Sequence, residues 1–230
     1  MAHGFATIPL PFRRLPELEM EARAQEFASS LAQRRSVRDF SAEPVPLDVL
    51  RSCIAAACTA PSGANKQPYT FCIVTDLSIK RSIREAAERE EYLNYHGRMP
   101  EDWVRELRPL GTDYNKPHLE KAPALVVVFR KSWEPEANGT RARNYYVAES
   151  TGIAVGMLIA ALHHAGLCCL THTPSPMDFV GRILGRPEHE KAYLLLPIGY
   201  PAEGCRVPDI QRKPFHELVV EYPEKPGEPR

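Results

Sequence analysis

Three side chains in the middle of the chain, Glu91, Tyr95 and Lys116, have the types and spacing to grip a small zwitterion. A carboxylate meets an α-ammonium and a lysine meets an α-carboxylate, and such charge-assisted hydrogen bonds are the strong ones. Glu91 and Tyr95 are four residues apart, so a helix presents them on one face. The default for the acidic run Glu88, Glu90, Glu91 is a solvated helix face, and spacing alone leaves both readings open.

A second group is cationic. Arg34, Arg35 and Arg38 crowd into RRSVR around Ser36. Planar guanidinium forks suit a phosphate monoester, because each bonds two oxygens at once. A basic face at a helix end is the competing explanation, since cations are favoured there. Arg212, in RKP, is a further arginine that spacing does not place. Pro61-Ser62-Gly63-Ala64-Asn65 follows a helix and is either a loop small enough to approach a flat ligand or an ordinary helix stop. Ser62 lacks a GxSxG setting, which argues against a nucleophile. Thr171-His172-Thr173-Pro174 puts hydroxyls at a strand end, either for a pocket or for the turn before a proline. His163 and His164 are neighbours on a helix, point about 100° apart and cannot share one ion, so no metal is expected. No GxxxxGK[ST] or GxGxxG occurs, which disfavours a phosphate loop and a dinucleotide fold.

The elements that must position these groups are legible in outline. Residues 20–34 form a charged helical stretch, and Pro46 opens an amphipathic helix that Pro61 stops. Runs 69–75 and 124–129 are strands without alternation, as expected of strands buried on both faces. Residues 79–95 form a charged helix and 101–110 a shorter one. The longest helical pattern, 143–167, is apolar all round in its middle and should be a buried central helix. Gly152, Gly156 and Ala160 lie four apart on one side of it, leaving room for another helix, and Gly166 caps its end. Segments 168–171 and 193–198 read as further strands, and 221–230 as a loose tail. The pattern is an α+β sandwich, read as one domain over 1–230.

Composition narrows the function classes. Lys+Arg and Asp+Glu both number 29. A neutral chain has no basic stripe for a phosphate backbone, so nucleic acid is a poor partner. Neutrality suits association instead. Residues 2–16 have no secretory pattern, and the apolar stretch near 152–162 is shorter than the roughly 20 residues that span a bilayer. Six cysteines with no CxxC pair fit small hydrophobes in a reducing cytosol. A soluble cytoplasmic protein, without a membrane partner, is therefore expected.

Taken in order, RRSVRDFSAEPVP, TAPSGANKQPYTFCIV, LTHTPSP and LLLPIGYP resemble the FMN-dependent nitroreductase superfamily over about residues 34–220. Within it, EEYLNYHGRMPEDWVRELRPL, TDYNK, APALVVVF and GRPEHEKAYLLLPIGYP make the chain similar to the iodotyrosine deiodinases, of the soluble bacterial type. The resemblance implies a nitroreductase-like α/β sandwich, a homodimer with a long central interface helix, and FMN at the interface. It implies that Arg34, Arg35, Ser36, Arg38 and Arg212 hold the phosphate and ribityl chain. Ser62 and Gly63 would line the flavin, beside Thr171 and His172. Ala64 would offer its N–H to a substrate phenolate, and the segment 88–116 would close Glu91, Tyr95 and Lys116 over the zwitterion. Thr173 would bond flavin N5 and favour one-electron over hydride chemistry. The implied reaction is reductive dehalogenation of a halotyrosine, with NAD(P)H or a reductase as external electron donor. The alternatives are a general NAD(P)H nitroreductase or quinone reductase and a non-catalytic flavin or aromatic amino-acid binder. Pro117 after Lys116 and His172 beside Thr173 depart from the family pattern.

Overall fold

The computed structural model describes residues 6–223. Its centre is a four-stranded antiparallel sheet in the order β1 (Tyr69–Val74), β2 (Ala124–Lys131), β6 (Glu190–Gly199), β5 (Cys168–Cys169). Strand β2 explains the layering. Its residues Ala124 to Phe129 are all buried because successive side chains serve different cores. Val126 and Val128 face α2 (Leu47–Ala57) and α6 (Val147–His164), through Leu50, Cys53, Leu158 and Leu162. Leu125, Val127 and Phe129 face α3 (Leu77–Leu93) and α7 (Asp178–Ile183), through Ile83, Ala87 and Val180. Each large side chain buried this way stabilises by about 1.5–3 kcal/mol. The sheet thus lies between two helical layers, the expected α+β sandwich.

Boundaries follow local chemistry. Pro16 caps α1 (Glu17–Gln33) and Pro46 caps α2, consistent with the fixed φ of proline at a helix entrance. α3 begins two residues before the expected position because Asp76 Oδ1 accepts from Ile79 N–H at 2.9 Å. α6 ends at His164, and Gly166 closes it with φ 79°. The 168–171 strand is shorter than expected: Leu170 N–H and His172 still bond β6, but only Cys168–Cys169 form a ladder. Short elements with no apolar periodicity were not foreseen. They are α5 (His118–Lys121), the hairpin β3 (Trp133–Pro135) and β4 (Arg141–Arg143), α7, and α8 (Phe215–Leu218).

The expectation that α6 is buried all round is corrected. One side packs on the sheet, but Ile153 is 46% exposed and a Cβ on Gly156 would meet nothing within 4 Å. α6 is also the one described helix long and apolar enough to cross a membrane by length and composition. Its open side, an α1 with no buried residue, and exposed Phe215, Leu218, Val220 and Tyr222 leave much apolar surface on one chain. The expected tail falls mostly outside the described residues; 221–223 are exposed.

Candidate active site

Residues 88–116 fold as the end of α3, a π-turn (Asn94–Arg98), α4 (Glu101–Leu107) and a 3-10 turn (Arg108–Leu110). They roof a cavity of about 630 Å³. Glu91, Tyr95 and Lys116 all line it, together with Arg38, Thr171, His172 and Thr173. The segment is anchored to the strand-end loop by Asn94 Nδ2, which donates to Ser175 O at 2.9 Å.

The three proposed clamp residues meet. Lys116 and Glu91 are both buried, and Lys116 Nζ stands 3.4 Å from Glu91 Oε2. The ammonium also donates to Thr112 Oγ1 at 3.1 Å and to the Asp113 carbonyl, and sits 5.5 Å from the Tyr95 ring centre. Burial lowers the Lys116 pKa, and the neighbouring Glu91 carboxylate opposes that shift. Burial first and Glu91 next raise the Tyr95 pKa, so its phenol stays protonated and donates to Thr112 O at 3.3 Å. The acidic run is therefore not a plain solvated face. Glu88 Oε1 accepts from the Lys116 backbone N–H at 2.8 Å, and its other oxygen pairs with Arg84 at 2.5 Å. Arg84 in turn holds Glu120 at 2.7 Å. This network fixes the lysine from behind, and sequence reasoning missed Arg84, Glu120, Asn94 and Thr112.

The arginines meet as well. Arg34, Arg35, Ser36, Arg38 and Arg212 line a cavity of about 280 Å³. Arg38 also lines the larger cavity, so the two adjoin at this residue. Burial lowers the Arg38 pKa, but an arginine stays charged in proteins. Arg212, which spacing did not place, donates to Ala32 O at 3.0 Å and Arg34 O at 2.8 Å. Arg35 donates to Pro208 O. The 208–212 segment is thus laced to RRSVR and completes a cationic cradle of phosphate size. A helix-end role for Arg212 and a cradle role coexist, because its backbone bonds occupy only part of the fork.

At the strand end, Thr171 and Thr173 are exposed while His172 between them is buried, the alternation of an extended chain, and all three line the cavity. His172 packs on His118, which sequence reasoning passed over although it lies two residues after Lys116. Met99, Trp103 and Leu107 add an apolar wall.

Ser62, Gly63 and Ala64 line neither cavity. Gly63 N–H faces Ser150 Oγ at 3.3 Å, at the start of α6. The smallness of Gly63 serves that packing: a Cβ would stand 2.8 Å from Tyr146 Cδ2 and 2.9 Å from Tyr145 O. Ala64, Asn65 and Gln67 all have positive φ, 50°, 53° and 48°. That conformation costs an L-residue roughly 1–2 kcal/mol, and such strain clusters at functional sites. The loop lies at one end of α6, whereas Ser36 bridges Cys169, just beyond the other end. The 18 residues of α6 span about 27 Å at 1.5 Å each. Within one chain, the loop and the arginine cradle are therefore far apart.

Residues 31–200 match the family model described as Nitroreductase family. The iodotyrosine deiodinase of Haliscomenobacter hydrossis is 51% identical over 217 residues, covering 94% of this chain and 98% of that protein. Iodotyrosine deiodinase 1 of Homo sapiens is 44% identical over 214 residues, 93% of this chain and 74% of that protein. Among solved structures, oxidized iodotyrosine deiodinase bound to FMN and 3-iodo-L-tyrosine superposes with a TM-score of 0.72 at 30% identity, covering 86% of this chain and 100% of that one. An FMN-dependent nitroreductase of Mycobacterium smegmatis in complex with NADPH shares the fold, with a TM-score of 0.64 at 23% identity, 87% of this chain and 100% of that one.

Proposed function

The chain belongs to the nitroreductase family, and on that premise we propose that it is an FMN-dependent oxidoreductase that reductively dehalogenates halotyrosines. The observation that carries this reading is the union of Glu91, Tyr95 and Lys116 in one cavity that adjoins an arginine cradle at Arg38. A general nitroreductase has no use for a zwitterion clamp, and relatives up to 51% identical are iodotyrosine deiodinases.

The residues present fit FMN. Arg34, Arg35, Arg38 and Arg212 with Ser36 offer a phosphate monoester more donors than it has oxygens. FMN, when bound, supplies the electrons that replace a carbon–halogen bond by a carbon–hydrogen bond. Glu91 accepts hydrogen bonds from the substrate α-ammonium, and Lys116 donates to its α-carboxylate. Tyr95 donates its phenolic proton and packs its ring beside the lysine. Residues 88–116 exclude water and hold the aromatic ring in place, with Met99, Trp103 and Leu107 as the apolar wall. The Thr173 hydroxyl would donate a hydrogen bond to flavin N5. The backbone N–H of Ala64, fixed by its left-handed conformation, donates to the substrate phenolate.

That last role requires a second copy of the chain, because in one chain Ala64 sits in the loop packed at the start of α6 whereas Ser36 of the cradle pairs with Cys169 beyond its other end. The open side of α6 supports such a homodimer. An external donor, NAD(P)H or a reductase, would return electrons to the flavin. A cytoplasmic location fits thiols left free at all six cysteines. The test is turnover of the FMN-loaded protein on 3-iodotyrosine and on a nitroarene under one reductant. The reading expects halotyrosine to be the better substrate; turnover of the nitroarene alone would return the chain to the general nitroreductases.

A further inference from the structure

Two buried imidazoles beneath the cavity take no part in the chemistry above. We propose that His118 and His172 form a proton store, filling when the bound flavin is reduced and emptying when its electrons leave. The inference rests on the FMN reading of this cavity.

The geometry is that of a paired, enclosed device. The ring centres are 5.6 Å apart and the planes meet at 82°. His118 is 3% exposed and His172 9% exposed, and both line the cavity. The Nε2 atom of each is buried with no hydrogen-bond partner. Native proteins rarely leave such atoms unpaired without a redox, catalytic or hydration role. The backbone carrying each ring is held in place. The backbone N–H and C=O of His172 are both bonded to Leu195, at 2.9 and 2.8 Å, and His118 opens α5 directly behind the Lys116 loop. The pair therefore links the clamp to the strand end that carries Thr173.

Charge around the pair sets its response. Arg38 comes from the segment before α2, Lys116 from the loop before α5, and Glu91, Tyr95 and Arg98 from α3 and the turn after it. Burial first, then Lys116 and Arg38, hold His118 at about 4; burial, then His118 and the same cations, hold His172 at about 3. Both are neutral while the cavity carries no added negative charge. Two-electron reduction adds negative charge to the cavity. At an effective dielectric of about 20, a unit negative charge close to an imidazole raises its proton affinity by roughly two powers of ten. His118, the less depressed of the two, responds first. The balance closes: two electrons enter with two protons, one held with the reduced cofactor and one on the imidazole; a halotyrosine takes the two electrons and one proton, its carbon–halogen bond breaks to halide, a carbon–hydrogen bond forms, and the second proton leaves to solvent as the negative charge departs.

The experiment is a potentiometric titration of the holoprotein between pH 5 and 8, for wild type, His118→Phe and His172→Phe. One extra proton per two electrons steepens the fall of potential with pH by about 30 mV per unit, a tenfold change in the equilibrium constant. Wild type should show this extra slope below about pH 6.5; His118→Phe should lose it, and His172→Phe, which leaves His118 in place, should keep most of it. The same slope in all three would place the proton on another group and overturn the proposal. Where a variant does not fold, imidazole nitrogen resonances of wild type at pH 6 decide: an imidazolium in the reduced holoprotein only is expected, and neutral rings in both states overturn it. A wild type that binds no flavin would strike the cofactor reading instead.

Discussion

Replacing Lys116 by Met separates the clamp from everything else in the cavity. Lys116 and Glu91 pair with each other at 3.4 Å, both buried. A zwitterion entering between them exchanges that pair for two, one at each end of the ligand. Lys116→Met removes the partner of the α-carboxylate, a charge-assisted bond of about 1.5–3 kcal/mol. At 1.36 kcal/mol per tenfold, halotyrosine binding weakens by roughly 10- to 150-fold. A halophenol has no carboxylate to lose, so its affinity changes by less than about threefold, within the range of near-neutral surface effects. The variant also leaves Glu91 buried without its cation, a loss of about 3–5 kcal/mol of stability by analogy with broken buried pairs. Adding Glu91→Gln should restore most of that stability while leaving halotyrosine binding weak. The assay is titration of each ligand into FMN-loaded protein, with denaturant unfolding of the same variants. Equal losses of affinity for halotyrosine and halophenol would refute the clamp.

Thr173→Ala removes one hydrogen bond, about 0.5–1.5 kcal/mol, or up to roughly tenfold. Dehalogenation and the yield of the one-electron stage in a reductive titration should fall while nitroarene reduction holds or rises; a parallel fall of both activities would point to general damage. Ile153→Asp on the open side of α6 should give a monomer with weakened FMN binding by light scattering and absorbance, and a stable FMN-loaded wild-type monomer at micromolar concentration would contradict the dimer. Acid should destabilise the flavin-free protein. Because His118 stands at about 4 against 6.5 unfolded, the unfolded chain binds more protons between those values. His118 then contributes about 3 kcal/mol above pH 6.5 that is lost progressively as pH falls toward 4. A pH series of denaturant midpoints reads this; His118→Phe should make the fall shallower, the remainder coming from His172, held at about 3.

What was legible in the sequence tracks how local the determining physics is. The runs at 69–75 and 124–129 carried their double-sided burial openly, and Pro46, Pro61 and Gly166 marked helix ends through fixed or permissive backbone geometry. Asp76 was equally readable as a cap, and α3 would have started correctly had it been used. α7 and the β3–β4 hairpin were invisible because too few apolar residues recur in them to show a period. The candidate site was half legible. Residue type singled out Glu91, Tyr95, Lys116 and the arginines of RRSVR, but only the fold shows that Arg212 reaches back to Arg34. Glu88 was taken for solvent because one of its donors, the Lys116 N–H, comes from a segment 28 residues away. The loop at Ser62 to Ala64 read from its residues as either a helix stop or a ligand approach, and the resemblance alone implied a flavin and substrate contact; in one chain it packs against Tyr145 and Tyr146.

The central claim is that reduced flavin in this protein gives its electrons to a halotyrosine held by the clamp. Dithionite-reduced holoprotein mixed anaerobically with one equivalent of 3-iodotyrosine tests it in a single turnover. The account predicts full return of the oxidised flavin spectrum with one iodide and one tyrosine released per flavin, and a far slower return in Lys116→Met. A flavin that stays reduced with iodotyrosine but reoxidises with a nitroarene would contradict it.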